Sequence, residues 1–338
     1  MRVWMLQKNG TLEEQDRPEK VTEALQIKAR VSKVLLTESD KSLMLGRDRS
    51  AIFPIIPGRA AVGVVSESCD CGIDLPKGSR VYLHPIFSCG VCENCKKGDS
   101  YHCTDVKITG YNAHGFLREF AVVNINDVTP LPSSVSDETA LYVEWIAIAE
   151  SVLDTLECSK GEHIVILGAG LLGNLLAQLL IYRRIVPILI DSNEELLNYA
   201  KRCGIYYTFK TDETLYDNVS RVTGGRLAEA SVHITDSGID PSLLFSLTAP
   251  RANVVYAGFG QKDLTVNLHA AMQKSCTIHC VTGSKKHIPS AINLLANKAI
   301  TIPDFRFTYG TPETFLSYVH ETADSPVDFR NPYIVKLL

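Results

Sequence analysis

No apolar run in this 338-residue chain is long enough to cross a bilayer. The longest, Leu171 to Tyr182, is interrupted by Gly173, Asn174 and Gln178. Signal-peptide character is missing as well, because MRVWMLQKNGTLEEQDRPEK turns charged within its first stretch and has no small-residue cleavage site. The expectation is a soluble, cytoplasmic protein with no membrane partner. Neither sign of charge dominates: 34 Lys+Arg against 38 Asp+Glu leave a net charge of -4 with no long block of like charges, so nucleic acid is not an expected partner. Internal repeats and low-complexity stretches are absent, and a composition of 45% hydrophobic and 21% charged residues excludes a disordered or collagen-like chain. A chain of this length is expected to form about two domains.

What is present changes character partway along. Up to about Pro130 the chain reads as short β-branched runs, AAVGVVSE, SRVYL and REFAVVN among them, separated by Gly, Pro and Asp turns. This pattern predicts an all-β barrel. From about Asp137 it alternates: helix 138–156, strand HIVILG, helix 171–182, strand VPILID, helix 193–203, then strands ASVHITD, ANVVYAG and CTIHCVTG. Such alternation predicts an α/β unit with a parallel sheet covered by helices. Two helical stretches, 289–298 and 312–323, and a closing strand NPYIVKLL complete the chain.

Ten cysteines in a long chain do not read as a disulfide framework, since four of them are bunched. Cys89, Cys92, Cys95 and Cys103 lie in CGVCENCKKGDSYHC, a C-x2-C-x2-C-x7-C spacing. Tight knuckles of this kind, with Gly90 and Gly98 easing the turns, suit a zinc held by four thiolates. Four protein ligands leave no position for water, so one structural Zn2+ is expected. An iron–sulfur cluster would accept the same ligands, but nothing else suggests electron transfer. Unliganded core cysteines are the plainer alternative, and His102 beside Cys103 is a spare donor. The scattered Cys158, Cys203, Cys276 and Cys280 read as small core residues.

Strand HIVILG runs into Gly168-Ala169-Gly170-Leu171-Leu172-Gly173 and then an apolar helix, the context a G-x-G-x-x-G needs to be informative. Gly168 would make the turn, Gly170 let the backbone approach a pyrophosphate, and Gly173 let helix and strand pack, with Leu171 and Leu172 opening the helix whose N–H groups face the phosphates. Asp191 ends the next strand, where a carboxylate accepts both ribose hydroxyls and repels a 2′-phosphate; NAD(H) is therefore expected over NADP(H). The bland alternative is that Asp191 only caps helix 193–203. Asp236 and Gly258, closing later strands, are expected to line the same crevice.

A β-rich first segment with a four-cysteine lobe, then a GAGLLG turn, then a short return segment resembles the medium-chain dehydrogenase/reductase family of the zinc alcohol dehydrogenase type, over essentially the whole chain. The resemblance implies a GroES-like β-barrel catalytic domain from 1–138 and 286–338, carrying the zinc lobe 89–103. It also implies a Rossmann doubly wound parallel sheet over 139–285, a cleft where nicotinamide meets substrate, and a homodimer or homotetramer joined through an edge strand, here CTIHCVTG. The same resemblance exposes departures. Where zinc-dependent members carry C-G-S/T-D, this chain has Thr37-Glu38-Ser39-Asp40, and where they carry G-H-E it has Gly58-Arg59-Ala60. Glu144 in YVEWIAIA matches the E-P position of polyol- and threonine-dehydrogenase-like members, and one carboxylate does not hold a catalytic zinc.

Zinc in that family polarises the alcohol oxygen before hydride leaves. Its ligands being replaced, Arg59 is expected to fill the vacated pocket, paired with Glu144, while the hydroxyls of Thr37 and Ser39 orient the substrate oxygen or relay its proton. A purely structural Arg59 ion pair is the competing reading. A relocated zinc, drawing on Cys69, Cys71, His84, His114 and Glu144, is another. His84, His114 and Trp145 are further possible substrate neighbours. Two function classes follow: an NAD(H)-dependent oxidoreductase interconverting hydroxyl and carbonyl on a polyol, sugar or related small polar molecule, or a non-catalytic NAD-binding relative.

Overall fold

The computed structural model describes the chain except for residues 19–20, 22, 49–50, 70, 236, 259–262, 284, 303–305 and 338. Asp236 therefore lies outside the described residues. Two compact units emerge, Met1–Glu144 with Asp304–Leu338, and Trp145–Pro303.

The first unit is built on strand Gln26–Leu35, whose QIKARVSKVL sequence buries Ile27, Ala29 and Val31 on alternate positions. It pairs antiparallel with Ala60–Glu67, Phe120–Asn124 and Tyr333–Lys336. Its sheet runs Thr308–Gly310, Tyr333–Lys336, Gln26–Leu35, Ala60–Glu67, Arg80–Leu83, Val128–Pro130, with Phe120–Asn124 branching from Gln26–Leu35. A second hairpin, Arg2–Leu6 with Leu12–Asp16, adds Val3, Met5 and Leu6 to the same core as Phe116, Leu117 and Phe315. Helix Glu38–Met44 is fastened to the end of the chain by Lys41, a buried lysine whose Nζ donates to the carbonyls of Thr322 and Ser325, just past helix Pro312–Glu321. A cation at the C-terminal end of a helix satisfies carbonyls that have no intrahelical partner.

The second unit is a six-stranded sheet in which every pairing is parallel. Its order is Tyr207–Lys210, Val186–Asp191, His163–Leu167, Ala228–Ile234, Thr248–Ala257, Thr277–Val281. Numbered along the unit, that is 3-2-1-4-5-6, the dinucleotide-binding order. Central strands such as HIVIL are buried on both faces, as a parallel sheet covered by helices requires.

Three details depart from the sequence reading. Helix 138–156 is two helices, Asp137–Ala140 and Val143–Leu156, parted at the buried Leu141 and Tyr142. Helix Ile288–Ala296 belongs to the second unit rather than the return segment, with Ser290 donating to the buried Glu150 carboxylate at 2.6 Å. Finally, Cys158, Cys203 and Cys276 are only half-buried and Cys280 is exposed, so these four are not core residues. Cys280 lies on Thr277–Val281, which has no further strand beside it among the described residues. No helix among the described residues is long and apolar enough to cross a membrane.

Candidate functional site

Arg59 stands immediately before strand Ala60–Glu67, at the end of a tight approach. Gly58 has φ +96°, and a Cβ there would come within 2.9 Å of the Val34 side chain and 3.0 Å of the Leu117 nitrogen, so only glycine fits. Asp40 fixes this point: its Oδ1 accepts the Gly58 N–H at 2.8 Å. From there the guanidinium reaches Glu144, in the first turn of helix Val143–Leu156, where a carboxylate also gains from the helix dipole. Arg59 Nε donates to Oε1 and Oε2 at 3.2 and 3.1 Å, and Nη2 donates to Oε1 at 2.5 Å. Arg59 is 9% exposed and Glu144 4%. Burial opposes the charge on Arg59, but Glu144 and the hydrogen bonds around it outweigh that and hold the guanidinium protonated more firmly than in water.

Two phenols complete the setting. Tyr101, in the turn Ser100–His102, donates its hydroxyl to Glu144 Oε1 at 3.0 Å and accepts from Arg59 Nη2 at 3.4 Å. Burial and the Glu144 charge both push its hydroxyl, and that of the fully buried Tyr82, well above the ordinary tyrosine range. Both phenols therefore stay protonated. Burial likewise raises the Asp40 carboxyl, against its hydrogen bonds from Thr37 and Gly58.

The other expected members divide. Thr37 is buried, but its hydroxyl donates to Asp40 Oδ2 at 2.6 Å and accepts the Asp40 N–H at 3.2 Å, a capping box that starts helix Glu38–Met44. Capping commits the hydroxyl proton to Asp40. Ser39, half-buried on that helix, has no hydrogen-bond partner among the described residues. The proposed relocated ligands do not converge: Cys69 and Cys71 form a disulfide, His84 Nε2 meets Thr129 Oγ1 at 2.8 Å, and His114 Nδ1 accepts from the Ile56 N–H at 3.3 Å. Trp145 is half-buried. Sequence reasoning missed Asp40 and Tyr101. Asp40 stood inside the very segment compared with the metal loop, whereas Tyr101 carried no signal beyond lying between two cysteines.

Cys89, Cys92, Cys95 and Cys103 do come together, with every Sγ within 4.8 Å of the others, the sole such metal-suited group among the described residues. The Cys89–Cys95 Sγ separation, 3.9 Å, is close to the edge of about 3.8 Å that a tetrahedron with 2.3 Å bonds has. Backbone N–H groups of Cys92, Cys95, Cys89 and Asp105 point at the Cys89, Cys92 and Cys103 sulfurs, at 3.3 to 3.5 Å, which favours thiolates there, while burial pushes the Cys95 thiol up to about 11. The N–H groups of Cys95 and Thr104 pull the Cys92 thiol down to about 6. The donor set fits zinc. His102 is not part of it, since its Nδ1 meets the Asp99 carboxylate at 2.8 Å on the surface.

In the second unit Gly168 takes φ +112° between strand His163–Leu167 and helix Leu171–Tyr182. A Cβ on Gly173 would overlap the Gly168 carbonyl oxygen, so this position is closed to any side chain. Gly170 is the N-cap, with open space beside it and no side chain capping the first turn, which leaves N–H groups for an anion. Leu171 is half-exposed there; Leu172 is buried and lies against Gly258, itself at φ +117°. Asp191 accepts the Ala169 N–H at 2.7 Å and the Asn193 N–H at 2.8 Å, tying the glycine turn to the loop after the second strand. It is not the helix cap: Asn193 caps Glu194–Arg202.

Residues 23–133 match the family described as Alcohol dehydrogenase GroES-like domain. A sorbitol dehydrogenase of Halalkalibacterium halodurans is 27% identical over 297 residues, 85% of each chain. Galactitol-1-phosphate dehydrogenase from Escherichia coli superposes with a TM-score of 0.86 at 19% identity, covering 99% of this chain and 100% of that one. An alcohol dehydrogenase of Escherichia coli CFT073, complexed with NADH, gives 0.84 at 22% identity over 99% of both chains.

Proposed function

We propose that this chain, whose residues 23–133 match the alcohol dehydrogenase GroES-like domain, is a medium-chain dehydrogenase/reductase of the zinc alcohol dehydrogenase type: an NAD(H)-dependent oxidoreductase interconverting a hydroxyl and a carbonyl on a polyol, sugar or related small alcohol, without a catalytic zinc. The observation that carries this reading is the buried, two-pronged Arg59–Glu144 pair, at positions where the resemblance to that family leads one to expect metal ligands. Dehydrogenases of polyols among its relatives support the substrate class.

Gly168, Gly170, Gly173, Asp191 and Gly258 would hold the dinucleotide, which when bound accepts or donates the hydride. Asp191 argues for NAD(H), since a carboxylate at that strand end opposes a 2′-phosphate. On alcohol oxidation the substrate hydroxyl passes its proton to solvent water and its oxygen carries negative charge until the carbonyl forms; carbonyl reduction runs the same steps in reverse. Arg59 stabilises that charge through N–H donors in a water-poor setting, and it cannot lose its own proton in doing so. Glu144 neutralises the guanidinium in the resting state and fixes its plane, which suits an uncharged substrate. Ser39 supplies an uncommitted hydroxyl for a neighbouring substrate oxygen. Cys89, Cys92, Cys95 and Cys103 would bind one zinc in a purely structural role, all four positions being protein thiolates.

Arg59→Ala tests the reading. Turnover on the best polyol or keto-sugar should fall about a hundredfold or more, the scale of losing one oxyanion donor, while NADH affinity stays unchanged. Full turnover in a folded Arg59→Ala chain would sink the catalytic role. Elemental analysis should find one zinc per chain; two would bring metal-assisted chemistry back.

A further inference from the structure

The segment between the third and fourth cysteines does more than close a loop. Tyr101 lies two residues before Cys103, and the backbone around it is bound to the knuckle at Cys95: Gly98 N–H donates to the Cys95 carbonyl at 3.0 Å and Asp99 N–H to the Asn94 carbonyl at 2.9 Å. The Asn94 side chain in turn donates to the His102 carbonyl, and His102 pairs with Asp99 at 2.8 Å. A metal on Cys95 and Cys103 would clamp both ends of this short segment. Its one phenol leaves the lobe and donates to Glu144 Oε1, the same oxygen that accepts from Arg59 Nη2 and Nε.

We infer that Tyr101 is a positioning residue that couples zinc in the cysteine lobe to the Arg59–Glu144 pair. Oε1 serves three donors at once, and the phenol is the one anchored outside the pair. With the lobe closed, Tyr101 holds the carboxylate in the plane that meets Nε and Nη2 together. With the lobe open, that anchor is lost and the carboxylate can turn, so the guanidinium loses its fixed direction. Coupling of this kind is reciprocal: whatever loosens the pair must also loosen the lobe. That reciprocity is open to a measurement that involves no turnover. The consequence for catalysis rests on the reading of Arg59 given above; the coupling itself does not.

The experiment follows zinc release to a chromogenic chelator from the full-length, zinc-loaded chain, comparing wild type, Tyr101→Phe, Glu144→Gln and the double variant. Tyr101→Phe removes only the hydroxyl. Release should quicken about fivefold or more in each single variant, the scale of a hydrogen bond to a charged group. The double variant should release no faster than the quicker single, because both remove the same link. Wild-type release from Tyr101→Phe, or rates that multiply in the double variant, would overturn the inference. Should Glu144→Gln fail to fold with Arg59 left unpaired, Arg59→Met with Glu144→Met takes its place in the comparison. A second readout is the split of kinetic constants: Tyr101→Phe should lower kcat and leave NADH affinity alone. Full turnover in Arg59→Ala together with coupled zinc release would defeat the catalytic reading and leave the coupling standing; the converse pattern would do the opposite.

Discussion

At the scale of single residues, His287 carries a pH dependence that one substitution can isolate. Burial pushes its imidazole below the ordinary histidine range, against the pull of Asp154 at 3.2 Å, and Lys286 adds to the push. A folded-state value below the unfolded one gives a contribution that is complete above the unfolded value of about 6.5 and is lost as pH falls through the folded one. Stability read by urea unfolding should therefore fall as pH drops below about 6.5, and His287→Asn should flatten that slope. Equal slopes in the two proteins would remove His287 as the cause. Elsewhere, the pairing of Arg59 with Glu144 was legible in the sequence because both positions fall on motifs of the resembling family. The capping role of Thr37 was not legible, because a motif does not encode which helix cap a hydroxyl makes. Tyr101 was invisible for a different reason: its partner lies 43 residues away, and no local pattern marks that contact.

Elements were easiest to read where burial is strongest. The strands His163–Leu167 and Val186–Asp191 are nearly continuous apolar runs, and Ala228–Ile234 alternates apolar with polar residues while burying all but Glu229, so all three announced themselves. Tyr207–Lys210 did not, being four residues with a half-exposed pattern and no alternation, yet it is the third strand that completes the dinucleotide-binding order. The break in helix 138–156 was equally hidden, since apolar spacing continues across it while the backbone turns. The glycine turn, by contrast, follows directly from its spacing, and Gly173→Ala tests it at this scale. An added methyl overlaps the Gly168 carbonyl oxygen, so helix and turn must move apart. NADH affinity should weaken about tenfold or more by fluorescence titration; wild-type affinity would show that the turn does not govern binding.

For the molecule as a whole, the edge of the second unit's sheet raises the question of self-association. Among the described residues Thr277–Val281 has a strand on one side only, with Ile278 37% exposed on it and Leu268 and Met272 exposed on the preceding helix, Leu268–Gln273. Long exposed edges with apolar neighbours are normally covered. Light scattering should give a homodimer or larger, and Ile278→Lys should shift it toward monomer; a monomeric wild type would leave this edge without a partner. The first unit carries a different consequence, one that concerns synthesis. Strand Tyr333–Lys336 lies between Thr308–Gly310 and Gln26–Leu35, so a strand made early waits for a neighbour made near the end of the described chain. The second unit is one continuous stretch, Trp145–Pro303, and its sheet needs nothing that follows. On the ribosome the later-coded unit can therefore finish folding before the one that begins the chain, and until then the nascent first sheet presents an open edge to chaperones and to other copies of itself.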